Sequence, residues 1–329
     1  MVSIKDVARH AGVAISTVSK VLNNYPNISE ETKKKVNASI AELNFIPNTI
    51  AAALSSKQSG RVALLMNMIA KTQVIDEIDM QYLTGAIKKA KELNLDVITV
   101  FFSMIQDKSL EEMIAYFKSQ NITGIVIYGM SKDDKILHRL VASREFKIVL
   151  VDAPFVNQDT SMVWVAQEQA QYDVAKKTIE ENNCKKVLYI AGKKNGYVTE
   201  RRIRGIKRLA EDMNLQLLIR DGGFSEKKAR EMTFRYAAGK DVVVCASDLM
   251  AIGAMKALTE MDIFRPVCGF DGIMLMGYVG KQMNTIRQDF GLISAEAVEE
   301  LSRLMKGGKG REIILPYSIE RLQYMDIIC

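Results

Sequence analysis

At 329 residues, with 48% hydrophobic, 26% charged and 7% aromatic side chains, the chain has the size of two domains, or of one large domain with an appendage, and the profile of a soluble globular protein. No run nears the roughly 18–20 uninterrupted apolar residues of a membrane helix, and the opening Met1-Val2-Ser3-Ile4-Lys5-Asp6 has no signal-peptide core, so the expectation is a cytoplasmic protein with no membrane partner. Of the net charge of +6, residues 1–60 carry +3, which makes positive charge several-fold denser there and points to a polyanionic partner, the alternative being a chance excess of surface lysine.

The cysteines Cys184, Cys245, Cys268 and Cys329 show no C-x-x-C pairing, and His10 and His138 are the only histidines. Zinc, a disulfide framework and histidine-based nucleophilic chemistry therefore lack raw material. No P-loop, G-x-G-x-x-G or H-E-x-x-H pattern is present, and Gly307-Gly308-Lys309-Gly310-Arg311 lacks phosphate-loop spacing. The expectation is a chain with no catalytic site, metal or cofactor. Glu111-Glu112 and Glu299-Glu300 read as solvated helix faces.

In chain order, Ser3 and Asp6 form a capping-box pattern ahead of Val7, Ala8 and Ala11 at helical spacing, predicting a helix over about 4–11. Gly12 permits a tight turn, and residues 16–23 carry a second short helix burying Val18, Val21 and Leu22. Ser29 caps a third, roughly 30–44, with Val36, Ile40 and Leu43 on one face. This is a helix-turn-helix pattern, or else a plain helical hairpin. In a helix-turn-helix the second helix points its N-terminal side chains at base edges; here these are Ile15, Ser16, Thr17, Ser19 and Lys20. Ile15 suits a thymine methyl, Ser16 a base edge, and Lys20 a guanine or a phosphate.

Thr49 to Lys57 is alanine-rich and helix-capable but too short to be stable alone in water. From Arg61, short apolar runs (Val62–Met66, Val97–Phe102, Gly124–Tyr128, Ile148–Val151, Val187–Ala191, Leu215–Ile219, Val242–Ala246, Val267–Phe270) alternate with amphipathic helical stretches. That alternation predicts two doubly wound subdomains with parallel sheets, whose ligands bind beyond the carboxyl ends of the strands.

The N-terminal residues Ile4-Lys5-Asp6-Val7-Ala8, Ala11-Gly12-Val13, Ser16 to Asn23, Ser29-Glu30-Glu31-Thr32 and Ile46-Pro47-Asn48 run in register with one family pattern. At lower density so do Glu200 to Gly205, Ala246 to Ala254, Gly269-Phe270-Asp271 and Thr285 to Gln288. The chain resembles the lactose repressor (LacI/GalR) family of bacterial transcription regulators. The fold this implies is a small all-α helix-turn-helix DNA-binding domain over 1–46, then a hinge helix and linker over 47–60. An α/β effector domain similar to periplasmic binding proteins follows over 61–329, its N-subdomain about 61–160 and 290–317, its C-subdomain about 161–288 and 318–329.

The resemblance implies a homodimeric regulator, most simply a repressor, on a pseudopalindromic double-stranded operator, controlled by a small effector, carbohydrate being the commonest in the family. To the DNA contacts it adds Ser3, Lys5, Asn23, Asn48 and Ala51, and it matches Leu54 to the residue that wedges into the minor groove. Around the effector it matches Arg202 as the ligand-gripping arginine, Asp271 as an acceptor, Ser247 where an asparagine is common, Asp152 and Asn67 from the other subdomain, and Trp164 and Phe224 as lining aromatics. The departures are Ala52, where many members carry arginine, and Lys20 in place of a frequent arginine, so the operator cannot be copied from a relative. The rivals are a two-domain α/β enzyme or an exported solute-binding protein with an accessory helical module, and a regulator whose effector is a phosphorylated protein.

Overall fold

Asp6 folds back at the start of the chain to accept the Ser3 backbone N–H at 2.9 Å and its hydroxyl at 2.7 Å, and this starts helix α1, Ile4–Ala11. Gly12 ends it with a φ of 64°, a left-handed conformation that costs glycine little. Helices α2, Ile15–Leu22, and α3, Glu30–Glu42, follow. Val7, Ala8, Val18, Val21, Val36 and Phe45 bury between the three, with Leu22, Ile40 and Leu43 half-buried against them. The computed structural model describes residues 2–22, 25, 27–45, 61–66, 77–279 and 283–321. The chain divides into two units, Met1–Ser59 and Gly60–Cys329.

The second unit contains strands β1 (Arg61–Met66), β2 (Val97–Phe101), β3 (Ile122–Tyr128), β4 (Lys147–Val151) and β5 (Thr160–Val165), interleaved with helices α4 (Glu77–Glu92), α5 (Leu110–Ser119) and α6 (Lys135–Ser143). It continues through α7 (Gln167–Glu181), β6 (Lys186–Ala191), α8 (Tyr197–Asp212), β7 (Gln216–Asp221), α9 (Glu226–Tyr236), β8 (Val242–Cys245), α10 (Asp248–Glu260) and β9 (Val267–Cys268). It closes with β10 (Thr285–Arg287), α11 (Phe290–Met305), β11 (Glu312–Leu315) and β12 (Ser318–Glu320).

One parallel sheet runs in the order β11-β5-β4-β3-β1-β2 and a second in the order β7-β6-β8-β9, while β10 and β12 form a short antiparallel pair. Both faces of the first sheet are covered, as the continuous apolar runs require. Val62, Leu64 and Met66 pack toward α4 and α11, and the alternate residues Ala63 and Leu65 toward α5 and α6. The second sheet lies among α7, α8, α9 and α10. The chain passes between the two sheets at Val165–Gln167, Arg287–Phe290 and Leu315–Ser318.

Three sequence expectations change. Thr160–Val165 is a strand of the first sheet, paired with β4, so the first crossover lies at Val165–Gln167 and not near residue 160. Buried Thr160 and Ser161 hid it, the Ser161 hydroxyl donating to Glu300 at 2.6 Å. Glu300 is accordingly not a solvated acid: it is 1% exposed and gathers Arg303 at 2.6 and 2.8 Å and Arg311 at 2.9 Å. Burial pushes its carboxyl up, but the bonds from Arg303, Ser161 and Arg311 outweigh that and leave it below the usual range. The Gly307 to Arg311 loop is thereby a structural tie between α11 and β11. Finally, the expected strand 267–270 is paired with β8 only over Val267–Cys268; beyond it the Gly269 and Asp271 N–H groups donate to the Asn284 and Ile286 carbonyls at 2.9 and 2.8 Å, and Gly269 lies so close to Asp248 that a Cβ there would stand 2.1 Å from its Oδ1. Cys184, Cys245 and Cys268 are buried free thiols, and Cys329 lies outside the described residues.

Candidate functional site

In the first unit, α2 turns Val18 and Val21 inward, which leaves Ile15, Ser16 and Lys20 exposed and Thr17 and Ser19 half-buried beside them. Lys20 enters no ion pair among the described residues, whereas Lys33 and Lys35 of α3 are held by Glu30 at 2.6 Å and Glu31 at 2.8 Å. Ser3 and Lys5 are exposed at the start of α1. A short helix with one apolar, one hydroxyl and one cationic side chain outward can contact a methyl, a base edge and a phosphate. Asn23, Asn48, Ala51 and Leu54 lie outside the described residues, as does Asn67.

In the second unit the polar network forms where the sheets exchange strands. Asp152 follows β4 with a φ of 63°, and Asp271 follows β9 with a φ of 127°. The second value is one that side chains rarely adopt, costing on the order of 1–3 kcal/mol and persisting only where the surroundings fix it. Here Asp248 fixes it: its Oδ2 accepts the Gly272 and Ile273 N–H groups at 2.7 and 2.9 Å, and its Oδ1 accepts the Thr285 hydroxyl at 2.6 Å. The Asp271 N–H donates to the Ile286 carbonyl at 2.8 Å.

Arg202, from the first half of α8, is 3% exposed and lies on the Phe270 ring at 3.5 Å. Its Nε donates to Gln167 Oε1 at 2.8 Å, its Nη1 donates to the Ala246 carbonyl, and its Nη2 stands 3.6 Å from Asp271 Oδ1. Gln167 Nε2 in turn donates to Asp152 at 3.0 Å and to Gln288 Oε1 at 3.2 Å, and Gln288 Nε2 donates to Asp271 at 3.2 Å. Asp152 of one subdomain is thus tied to Arg202 and Asp271 of the other through two glutamines at two crossovers. Burial pushes both carboxyls up, with Arg202 as the chief opposing influence. Buried carboxylates that accept from neutral glutamine amides can exchange those bonds for a ligand's hydroxyl donors.

The two subdomains also touch at other points. The Lys132 N–H donates to the Asn195 carbonyl at 3.0 Å, Lys132 Nζ reaches Glu200 at 2.6 Å, and Asn195 Nδ2 donates to Asp133 at 3.1 Å. Glu77 of α4 accepts the Met274 N–H at 2.9 Å.

The structure brings Arg202, Asp152 and Asp271 into one network. Phe224, with a φ of 58°, lays its ring over Gly192, where a Cβ would come within 2.1 Å of it. The Ser247 hydroxyl caps α10 by accepting the Met250 N–H at 3.3 Å, so part of its capacity is already used. Trp164 stacks on Arg201 at 3.5 Å. Sequence reasoning did not single out Gln167, Gln288 or Asp248 as site residues. Two are uncharged, and Asp248 reads as an ordinary acid in a helix first turn; only their position at the crossovers and the β9 loop reveals them.

The family described as bacterial regulatory proteins, lacI family, matches residues 3–48, and periplasmic binding proteins and sugar binding domain of LacI family matches residues 80–265. The chain belongs to the LacI family. This LacI-family protein is a DNA-binding transcriptional regulator and not an enzyme. It is 26% identical over 330 residues to the lactose operon repressor of Escherichia coli, covering 97% of this chain and 89% of that one. To the ribose operon repressor of Halalkalibacterium halodurans it is 26% identical over 307 residues, with coverages of 89% and 88%. Its fold is that of the lac repressor dimer solved bound to operator and the anti-inducer ONPF, with a TM-score of 0.83, 24% identity and coverage of 97% of this chain and 98% of that one. No helix among the described residues is long and apolar enough to cross a membrane.

Proposed function

We propose that this LacI-family regulator acts as a repressor in the cytoplasm, bound as a homodimer to a pseudopalindromic operator through Ile15, Ser16, Thr17, Ser19 and Lys20, with Ser3 and Lys5 on the backbone. Asn23, Asn48, Ala51 and Leu54 complete the proposed DNA set. A small polyhydroxylated effector sits between the two subdomains, its hydroxyls donating to Asp152 and Asp271 and accepting from Arg202, with Asn67, Trp164, Phe224 and Ser247 lining the space. The domain limits are those of the sequence reading, with the first subdomain carried to Val165.

The observation that carries this reading is the buried chain of bonds from Asp152 through Gln167 to Arg202 and through Gln288 to Asp271. A ligand inserted there exchanges bonds with both subdomains and both crossovers at once, so it shifts the balance between subdomain arrangements by its differential affinity for them.

The test is selection of the purified protein against a random duplex pool at about 150 mM salt, where purely electrostatic binding is weak. Enrichment of a pseudopalindrome is the expected result. A pool with no enrichment, with and without added metabolites, overturns the reading.

A further inference from the structure

Among the described residues, four buried side-chain polar atoms have no hydrogen-bond partner: Trp164 Nε1, Gln171 Nε2, Thr199 Oγ1 and Arg201 Nη1. Two of these belong to a single contact. The Arg201 guanidinium lies on the Trp164 indole at 3.5 Å, and both unmatched groups are donors that no neighbouring donor can satisfy. The other arginines of α8 are matched. Arg204 and Arg208 reach Glu168 at 3.2 and 3.1 Å, and Arg202 is engaged by Gln167, Ala246 and Asp271. Arg201 alone on this helix is half-buried with no direct ion pair among the described residues; Asp152, Glu312 and Glu168 act on its charge from a distance, while its Nη1 donor stays unmatched.

Arg201 and Trp164 adjoin the residues of the crossover network. Arg201 precedes Arg202, Trp164 stands at the end of β5 just before Gln167, and Asp152 acts on the Arg201 charge. The region between the subdomains therefore holds acceptors at Asp152 and Asp271 and unspent donors at Arg201 and Trp164. A planar guanidinium held flat on an aromatic ring keeps its edge free for the forked recognition of phosphate or carboxylate.

We infer that the effector is an anionic polyhydroxylated metabolite whose phosphate or carboxylate group seats against Arg201 and Trp164 while its hydroxyls meet Asp152 and Asp271. This rests on the effector cleft proposed above. A neutral sugar offers these two donors only uncharged hydroxyl acceptors, which bond a guanidinium more weakly than a phosphate or carboxylate does, and so binds more weakly than its charged derivative.

The experiment is calorimetric titration of the full-length protein with matched probes: glucose, glucuronate and glucose 6-phosphate, and ribose, ribonate and ribose 5-phosphate. Within at least one series, a charged probe binds at least about tenfold more tightly than its neutral parent. Arg201→Gln removes about ten- to hundredfold of the charged probe's affinity and little of the parent's, and Arg201→Lys restores part of it. The carboxylate and phosphate arms say which anion is taken. Trp164→Phe, which keeps the stacked ring and deletes the N–H, lowers the same ratio and serves where Arg201→Gln does not fold. Equal or tighter binding of the neutral parents, no binding by any charged probe, or an unchanged ratio in both variants overturns the inference. Operator selection on the same wild-type preparation separates the failures: a pseudopalindrome recovered without charge preference overturns this inference alone, and no enriched sequence overturns the proposed function.

Discussion

Gln167→Leu tests whether the crossover network holds the second unit together. The side chain is 1% exposed and makes three bonds, accepting from Arg202 at 2.8 Å and donating to Asp152 at 3.0 Å and Gln288 at 3.2 Å. Two of the three partners are ionisable, and bonds to charged groups contribute about 1.5–3 kcal/mol each, against about 1 kcal/mol for the neutral pair. Leucine keeps most of the volume, so the loss is electrostatic and not a cavity. Water entering from the cleft recovers some of it, and the expected net loss is about 3 kcal/mol. For a unit of this size that lowers the melting temperature by about 6–12 °C. Chemical denaturation followed by circular dichroism, beside calorimetric melting, reads both quantities. Gln167→Glu is expected to lose more, since it places a second carboxylate against Asp152. A loss below about 1 kcal/mol for the leucine variant refutes the account, because it means that Arg202 and Asp152 do not depend on Gln167.

Gly205→Ala is expected to destabilise by at least about 1–3 kcal/mol in denaturant titration, despite alanine's better helix propensity, because the added Cβ stands 2.2 Å from the Glu168 carbonyl oxygen. Burial raises the folded-state pKa values of Asp152 and Asp271 above the ordinary 3.8, so the folded state holds protons that the unfolded state has released. Their contribution is therefore present at low pH and is lost as pH rises through the raised values, and Asp271→Asn should flatten that fall in a pH series of melting temperatures. Lys20→Ala, at an exposed position, should weaken operator binding. In a salt titration, a drop of about one in the slope marks a phosphate contact, and a selective loss at one base pair marks a guanine contact.

The sequence by itself determined what depends on local patterning. The capping pattern at Ser3 and Asp6, Gly12 with its positive φ, and the spacing of Val7, Val18, Val21 and Val36 specify the helix-turn-helix, because each acts within a turn or a short hairpin. The buried-strand runs likewise announced two parallel sheets, since a strand covered on both faces is apolar throughout. Arg202, Asp152 and Asp271 were legible as charges at strand ends and in a family pattern. Only the tertiary structure decided what those charges do. The Thr160–Val165 strand was obscured by polar residues whose partners lie far along the chain, Ser161 on Glu300 above all. Gln167 and Gln288, 121 positions apart, meet because the chain crosses between the sheets at both places. Arg201 and Arg202 are neighbours of the same residue type, and packing gave one of them acceptors and left the other half-buried with an unmatched donor. Hydrogen-bond satisfaction in a buried site is a property of three-dimensional neighbours, which a pattern of residue types along the chain does not contain.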